Sequence, residues 1–435
     1  MNNELAIYGG PISIQDDPGD IFKWPIITEE DELAVLEMLK YGKMSGIDET
    51  LKFEKEFAQW HNVKHALACN NGTASIHSAM YGVGVGVGDE VICQSLTIWA
   101  SALPAFSLGA SIVFADLDKK TMTLDPEDVE RKITDKTKAI IVVHYMGYPA
   151  DMDAIMAIAN KHNIKVIEDV SHAHGAIYNG MIVGTIGHVG AMSVMSEKSL
   201  AVGEGGFLIT NDNNIWERAV AFGHYERTGM YANTSTAFIG KDKYIENSEL
   251  SRFGGFPLGG YKYRMNQLSS SLGRVQLKHY RKRMGEIQKA MNYFWDKLEG
   301  VPGIRSHRPP KDSGNTKGGW YSPKGLYVPE ELGGLNIDKF CEALRSEGVL
   351  TKPGLNVLMH QHPVINEADI YGHGTPTFVA NSGHKNKIIK GSLPVSEMLP
   401  NFAFDVPWFK HYRPEIIDQY VNAFRKVAEN ADKLE

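Results

Sequence analysis

Between residues 169 and 198 the chain places a carboxylate, an imidazole and a primary amine that could act together. Asp169 and His172 close the apolar run in KVIEDVSHAHGA, and Lys198 lies in SVMSEKSLAVGEGG, between Ser193 and a glycine-rich turn that leads into FLIT. Lysines are mostly solvated, so the setting of this one decides how it reads. An acid at the C-terminal end of one strand and a lysine beyond a later one can converge on the crevice where open α/β sheets bind ligands. That pairing suits pyridoxal phosphate. The cofactor needs a lysine to hold its aldehyde as a Schiff base, and an anion to keep its pyridinium nitrogen protonated so that the ring accepts carbanion electrons. Lys198 and Asp169 take those roles.

The elements that must position them follow from the hydrophobic pattern. EVICQ, SIVFADLD, KAIIVVH and KVIEDV read as buried strands alternating with helices, which argues for a parallel α/β sheet. Residues 1–27 read as an extended arm broken by Gly9, Gly10, Pro11 and Pro25, residues 28–284 as the large domain, and residues 285–435 as a smaller C-terminal domain opening with a long basic amphipathic helix. Thr28 followed by Glu-Glu-Asp-Glu marks the first helix start. In HALACNNGTASIHSAMYG a strand, a Gly-Thr turn and a helix opening at Ala74 would aim backbone amides at an anion. The repeated glycines of GVGVGVGD alternate and precede a strand, so they are no dinucleotide fingerprint. Residues 231–258 read as a substrate-side or inter-subunit loop.

The order EDxxHAHGA, then Ser193, Lys198 and GEGG, resembles the DegT/DnrJ/StrS sugar aminotransferases, fold-type I enzymes that use pyridoxal 5'-phosphate. The resemblance implies a large domain with a mostly parallel central sheet flanked by helices, plus a smaller C-terminal α+β domain. It implies that Thr73 and Ala74 grip the cofactor phosphate, that Ser193 adds a hydroxyl, and that His172 touches the phenolic oxygen or stacks on the ring. The family stacks an aromatic on the cofactor directly after a threonine; here Ile98 follows Thr97, and Trp99 takes the role, with a buried core tryptophan as the other reading. GGYKYRMNQ resembles a segment whose asparagine reaches the phosphate of a second subunit; Lys262 stands there instead, as a point charge without an amide's directional contacts, or as a solvent-facing lysine before a helix. A homodimer with shared active sites is then expected. The usual amino donor is glutamate or glutamine, and the acceptor a keto sugar, often nucleotide-linked, or a keto cyclitol. Two other readings stay open: a dehydratase, against which Lys198 argues because those relatives carry histidine there, and a non-catalytic regulatory or scaffold protein, which would be expected to lose Lys198 or Asp169.

The charge balance, 45 basic against 52 acidic residues for a net −7, offers no basic stripe for nucleic acid and no polybasic membrane anchor. Three cysteines without paired spacing suggest neither a disulfide framework nor a zinc site. His172 and His174 share a His-x-His spacing but have no third ligand nearby in sequence, so metal binding is not expected. With no signal peptide and no run of about 18 apolar residues, a soluble cytoplasmic protein is expected.

Overall fold

The computed structural model describes residues 4–228, 245–383, 388 and 390–434. The expected loop at 231–258 therefore lies partly outside the described residues.

A seven-stranded sheet carries the large domain, in the order β1 (His65–Cys69), β9 (Gly206–Thr210), β8 (Val189–Ser193), β5 (Lys165–Asp169), β4 (Thr137–Val143), β2 (Glu90–Gln94) and β3 (Ser111–Ala115). The pairs β3–β2, β2–β4, β4–β5 and β5–β8 are parallel, and β9 alone runs antiparallel to its neighbours β8 and β1. A short hairpin, β6 (Ile177–Tyr178) and β7 (Met181–Ile182), lies outside this sheet. The central strands read as unbroken apolar runs because both faces are covered. Val91, Cys93, Ile141 and Val143 pack in one core, and Ile92, Ile140, Val142 and Val166 in a second on the opposite face.

Helix α1 (Glu29–Tyr41) begins where expected, with Thr28 and Asp31 forming a reciprocal capping box. Helix α2 (Asp48–His61) sends Phe53 and Phe57 against Phe207 of β9, with the Phe57 and Phe207 rings stacked at 3.8 Å. Helix α3 (Gly72–Gly82) follows β1 and is almost wholly buried.

The boundary expected at residue 285 falls inside one continuous helix, Gln267–Lys297. Its first half packs on α1 and α2, with Gln276 donating to Asp31 at 2.7 Å and Ser270 meeting Thr50 at 2.8 Å. Its second half buries Ile287, Met291, Phe294 and Trp295 in a third core with the helix Pro414–Glu429 and a small antiparallel sheet of β10 (Ile304–Ser306), β11 (Lys324–Tyr327) and β12 (Ala403–Asp405). No proline interrupts it, and it runs through Gly273 and Gly285 without a break, so it serves both halves. The arm joins the same core through Leu5 and Ile21. The stretch between β11 and β12 behaves differently. Met359, Ile365, Phe378, Leu393 and Leu399 pack in the large domain's core, and Ser95 after β2 holds His360 at 2.6 Å. Among the described residues, no helix is long and apolar enough to cross a membrane.

Candidate active site

Asp169 is the last residue of β5 and Ser193 the last of β8, so both stand at the C-terminal edge of the parallel strands, and Lys198 follows five residues beyond Ser193. The Asp169 carboxylate is 2% exposed and fixed from two sides: Ser101 donates its hydroxyl to Oδ2 at 2.7 Å, and the Ser171 N–H donates to Oδ1 at 3.0 Å. Ser101 closes a single 3-10 turn that begins at Trp99, so this contact ties the Trp99 segment to the acid. Trp99 itself is 54% exposed, which removes the reading of a buried core tryptophan.

Lys198 is 6% exposed and forms no ion pair among the described residues. Its Nζ lies 4.0 Å from the ring centroid of Tyr321. Burial pushes its amine down to about 8, against the pull of the Asp169 and Glu197 carboxylates. Its backbone is anchored by the arm, where Trp24 Nε1 donates to the Lys198 carbonyl at 2.8 Å.

His172 stacks on Tyr321 with ring centroids 4.6 Å apart and accepts the Met146 N–H at Nδ1, 3.3 Å away. Burial, with Lys198 next in size, holds its pKa well below the usual imidazole range. A neutral ring whose Nδ1 accepts carries its proton on Nε2, so His172 offers one N–H donor. His174 is also neutral, pushed down to about 3 by burial and contacting Ser199 at 3.2 Å. No group of three potential ligands that could hold a metal occurs among the described residues.

The turn expected to bind an anion forms where α3 starts, two residues earlier than expected from the sequence. Asn71 is its N-cap, and its Oδ1 accepts from Ala74 N at 2.8 Å. The Ala74 amide is thus already engaged, while the Thr73 N–H has no partner among the described residues. The turn is packed so closely against β8 and β9 that side chains do not fit. A Cβ on Gly72 would come within 2.5 Å of Ser193 Cβ, and one on Gly206 within 2.3 Å of the Asn71 carbonyl oxygen. The glycines therefore bring the Ser193 hydroxyl beside the start of a helix. Lys262 is exposed, and its segment is pinned behind this turn by the Asn70 N–H donating to the Tyr263 carbonyl at 2.6 Å.

These residues fit pyridoxal phosphate: the chain supplies a buried amine without an ion pair among the described residues, an oriented carboxylate, a neutral imidazole donor and a glycine-tight helix start. Tyr321, Trp24, Ser101 and Ser171 were not singled out as site residues by the sequence. Only Ser101 left a local signal, as part of the Ala-Ser pair after Trp99.

A buried lysine and a buried carboxylate at the C-terminal edge of a mostly parallel, seven-stranded sheet stand where α/β proteins bind their ligands. Residues 25–419 match the model of the DegT/DnrJ/EryC1/StrS aminotransferase family, and the chain belongs to that family; it is an aminotransferase. It is 30% identical to the GDP-perosamine synthase of Escherichia coli O157:H7 over 77% of this chain and 86% of that protein. It is 35% identical to the L-glutamine:2-deoxy-scyllo-inosose aminotransferase of Streptomyces lividus over 58% of this chain and 59% of that protein. The X-ray structure of the aminotransferase from Psychrobacter cryohalolentis superposes with a TM-score of 0.78 at 28% identity, covering 94% of this chain and 99% of that one.

Proposed function

We propose that this enzyme uses pyridoxal 5'-phosphate, held by Lys198, to move an amino group from glutamate or glutamine to a keto sugar or keto cyclitol. The observation that carries the cofactor assignment is the buried Lys198 amine, without an ion pair among the described residues and under the electrostatic influence of the oriented Asp169 carboxylate. The substrate classes rest on likeness to relatives named as a GDP-perosamine synthase and a glutamine:inosose aminotransferase.

When bound, pyridoxal phosphate supplies an aldehyde to carry the amino group and a ring that accepts carbanion electrons. The protein supplies the rest. With its amine near 8, Lys198 is available both neutral and protonated at neutral pH, so Nζ takes the proton from the donor's α-carbon and returns one to the acceptor carbon. Asp169, fixed by Ser101 and Ser171, holds the proton on the ring nitrogen. His172 donates its Nε2–H to the phenolic oxygen, the Thr73 amide and Ser193 hydroxyl hold the phosphate, and Trp99 stacks on the ring. Ala74 contributes through its place in the first helical turn, its N–H being taken by Asn71. Lys262 reaches the phosphate of a second subunit in a homodimer with shared active sites. The dehydratase reading lacks support, because Lys198 stands where those relatives carry histidine.

The test is a panel of keto sugars, free and nucleotide-linked, and keto cyclitols, incubated with glutamate or glutamine and scored for amine product by mass. Amine formed from one class assigns the acceptor; no amine from any member, with an enzyme that does deaminate the donor, rejects both classes.

A further inference from the structure

Tyr321 sits in the loop before β11, far in sequence from the other site residues, yet it touches two of them. Its ring face receives the Lys198 Nζ at 4.0 Å and is stacked against His172 at 4.6 Å. The loop is shaped to place that ring. Trp320 and Ser322, on either side, both lie in the left-handed region, with φ of 54° and 45°, a conformation that residues other than glycine keep only where surrounding contacts hold it. Those contacts are present. Trp408 packs its edge on Tyr321 at 5.8 Å and donates Nε1 to the Gly319 carbonyl at 3.1 Å, and the Gly319 N–H donates to the His174 carbonyl at 3.3 Å.

We propose that Tyr321 is a positioning residue for proton transfer, its ring face holding the Lys198 ammonium once the amine has left the cofactor and taken up a proton. The inference rests on the cofactor reading above. In the donor half of the reaction the donor's α C–H bond breaks, its electron pair passes into the cofactor ring, and an N–H bond forms on Lys198 Nζ; the same proton then returns to the adjacent cofactor carbon. Between these events a cation must wait inside a buried site. An aromatic face attracts a cation without a fixed negative charge. A carboxylate at that place would trap the proton; the ring holds the amine and still lets it give the proton back. The other groups facing Lys198 are Asp169 of β5 and Glu197 beside it, which favour the cation, while His172 and His174 stay neutral.

The test compares Tyr321→Phe, Tyr321→Leu and Tyr321→Met in the cofactor-loaded enzyme, following the donor half-reaction by rapid mixing across pH with ordinary and α-deuterated glutamate and glutamine. Phe keeps the ring face and should stay within about twofold of wild type. Leu and Met should bind cofactor one to one yet slow the half-reaction by about 3- to 30-fold, with a larger deuterium isotope effect. Because the ammonium loses a stabilising partner, the acidic limb of the rate profile, where the amine must deprotonate to act as base, should move to lower pH by about 0.5–1.5 units. Should Leu fail to fold, Met carries the comparison. Leu and Met variants matching wild type in rate, isotope effect and limb position would overturn the proposal, and so would a Phe variant as slow as Leu. A wild-type protein without a coloured band that Lys198→Ala abolishes would instead remove the cofactor reading, a failure visible before any Tyr321 variant is made.

Discussion

At the residue scale the site separates groups that announce themselves from groups that do not. Asp169, His172, Ser193 and Lys198 lie within one stretch, and their order carries a local pattern, so the sequence shows them. Tyr321 and Trp24 meet Lys198 only through tertiary packing, across 123 and 174 positions of chain, and each stands in a segment without periodicity. The sequence also could not show that Asn71 takes the Ala74 amide, because capping geometry depends on where the helix starts, and it starts at Gly72. Asp169 yields the sharpest prediction at this scale. In Asp169→Asn the amide oxygen can still accept the Ser171 N–H, and the Ser101 hydroxyl can turn to accept from the amide nitrogen, so the variant can keep the geometry while losing the charge. Breaking one partner of a buried charged pair costs on the order of 3–5 kcal/mol. The variant should slow exchange of the donor's α-proton into deuterated water by about two to four orders of magnitude while keeping most of its bound cofactor; exchange at the wild-type rate would show that Asp169 does not hold the ring proton.

At the element scale the alternation of apolar strands with helices was legible, since strands covered on both faces read as unbroken hydrophobic runs. Two features were not. The helix Gln267–Lys297 crosses the expected domain boundary, because its amphipathic pattern changes partners without changing period. The stretch between β11 and β12 returns to the large domain through scattered residues such as Met359 and Phe378 in short turns, which leave no period to read. In the proposed function, phosphate binding depends on the crossing of α3 with β8 and β9. Gly206→Ala would drive a Cβ to 2.3 Å from the Asn71 carbonyl oxygen, against backbone that cannot rotate away. Cofactor affinity should fall at least tenfold, equivalent to about 1.4 kcal/mol, measured by titrating the stripped protein with pyridoxal phosphate. Unaltered affinity would place the phosphate elsewhere.

At the scale of the whole molecule, three separate parts of the chain close on one lysine: the arm through Trp24, the large domain through Asp169 and the C-terminal half through Tyr321. A second subunit is the remaining expected contributor, through the exposed Lys262. A two-fold interface would give each site residues from both chains. Lys198→Ala and Lys262→Glu chains should each be weak alone. In a mixed dimer one site carries both lesions and the other neither, so activity should recover toward about half of wild type in pure heterodimers and about a quarter after statistical mixing. Mixtures no more active than the sum of their parts, with subunit exchange demonstrated, would confine Lys262 to its own subunit or remove it from the site.

The most direct test of the central claim is the absorption spectrum of the purified protein, wild type beside Lys198→Ala, before and after adding glutamate or glutamine. A visible band in the wild type that shifts on adding donor, and is absent from a Lys198→Ala protein with an unchanged far-UV spectrum, is the result expected of a cofactor bound covalently to the buried amine. A wild-type protein that stays colourless after incubation with pyridoxal phosphate, or a Lys198→Ala variant that keeps the wild-type band and its response to donor, would contradict it.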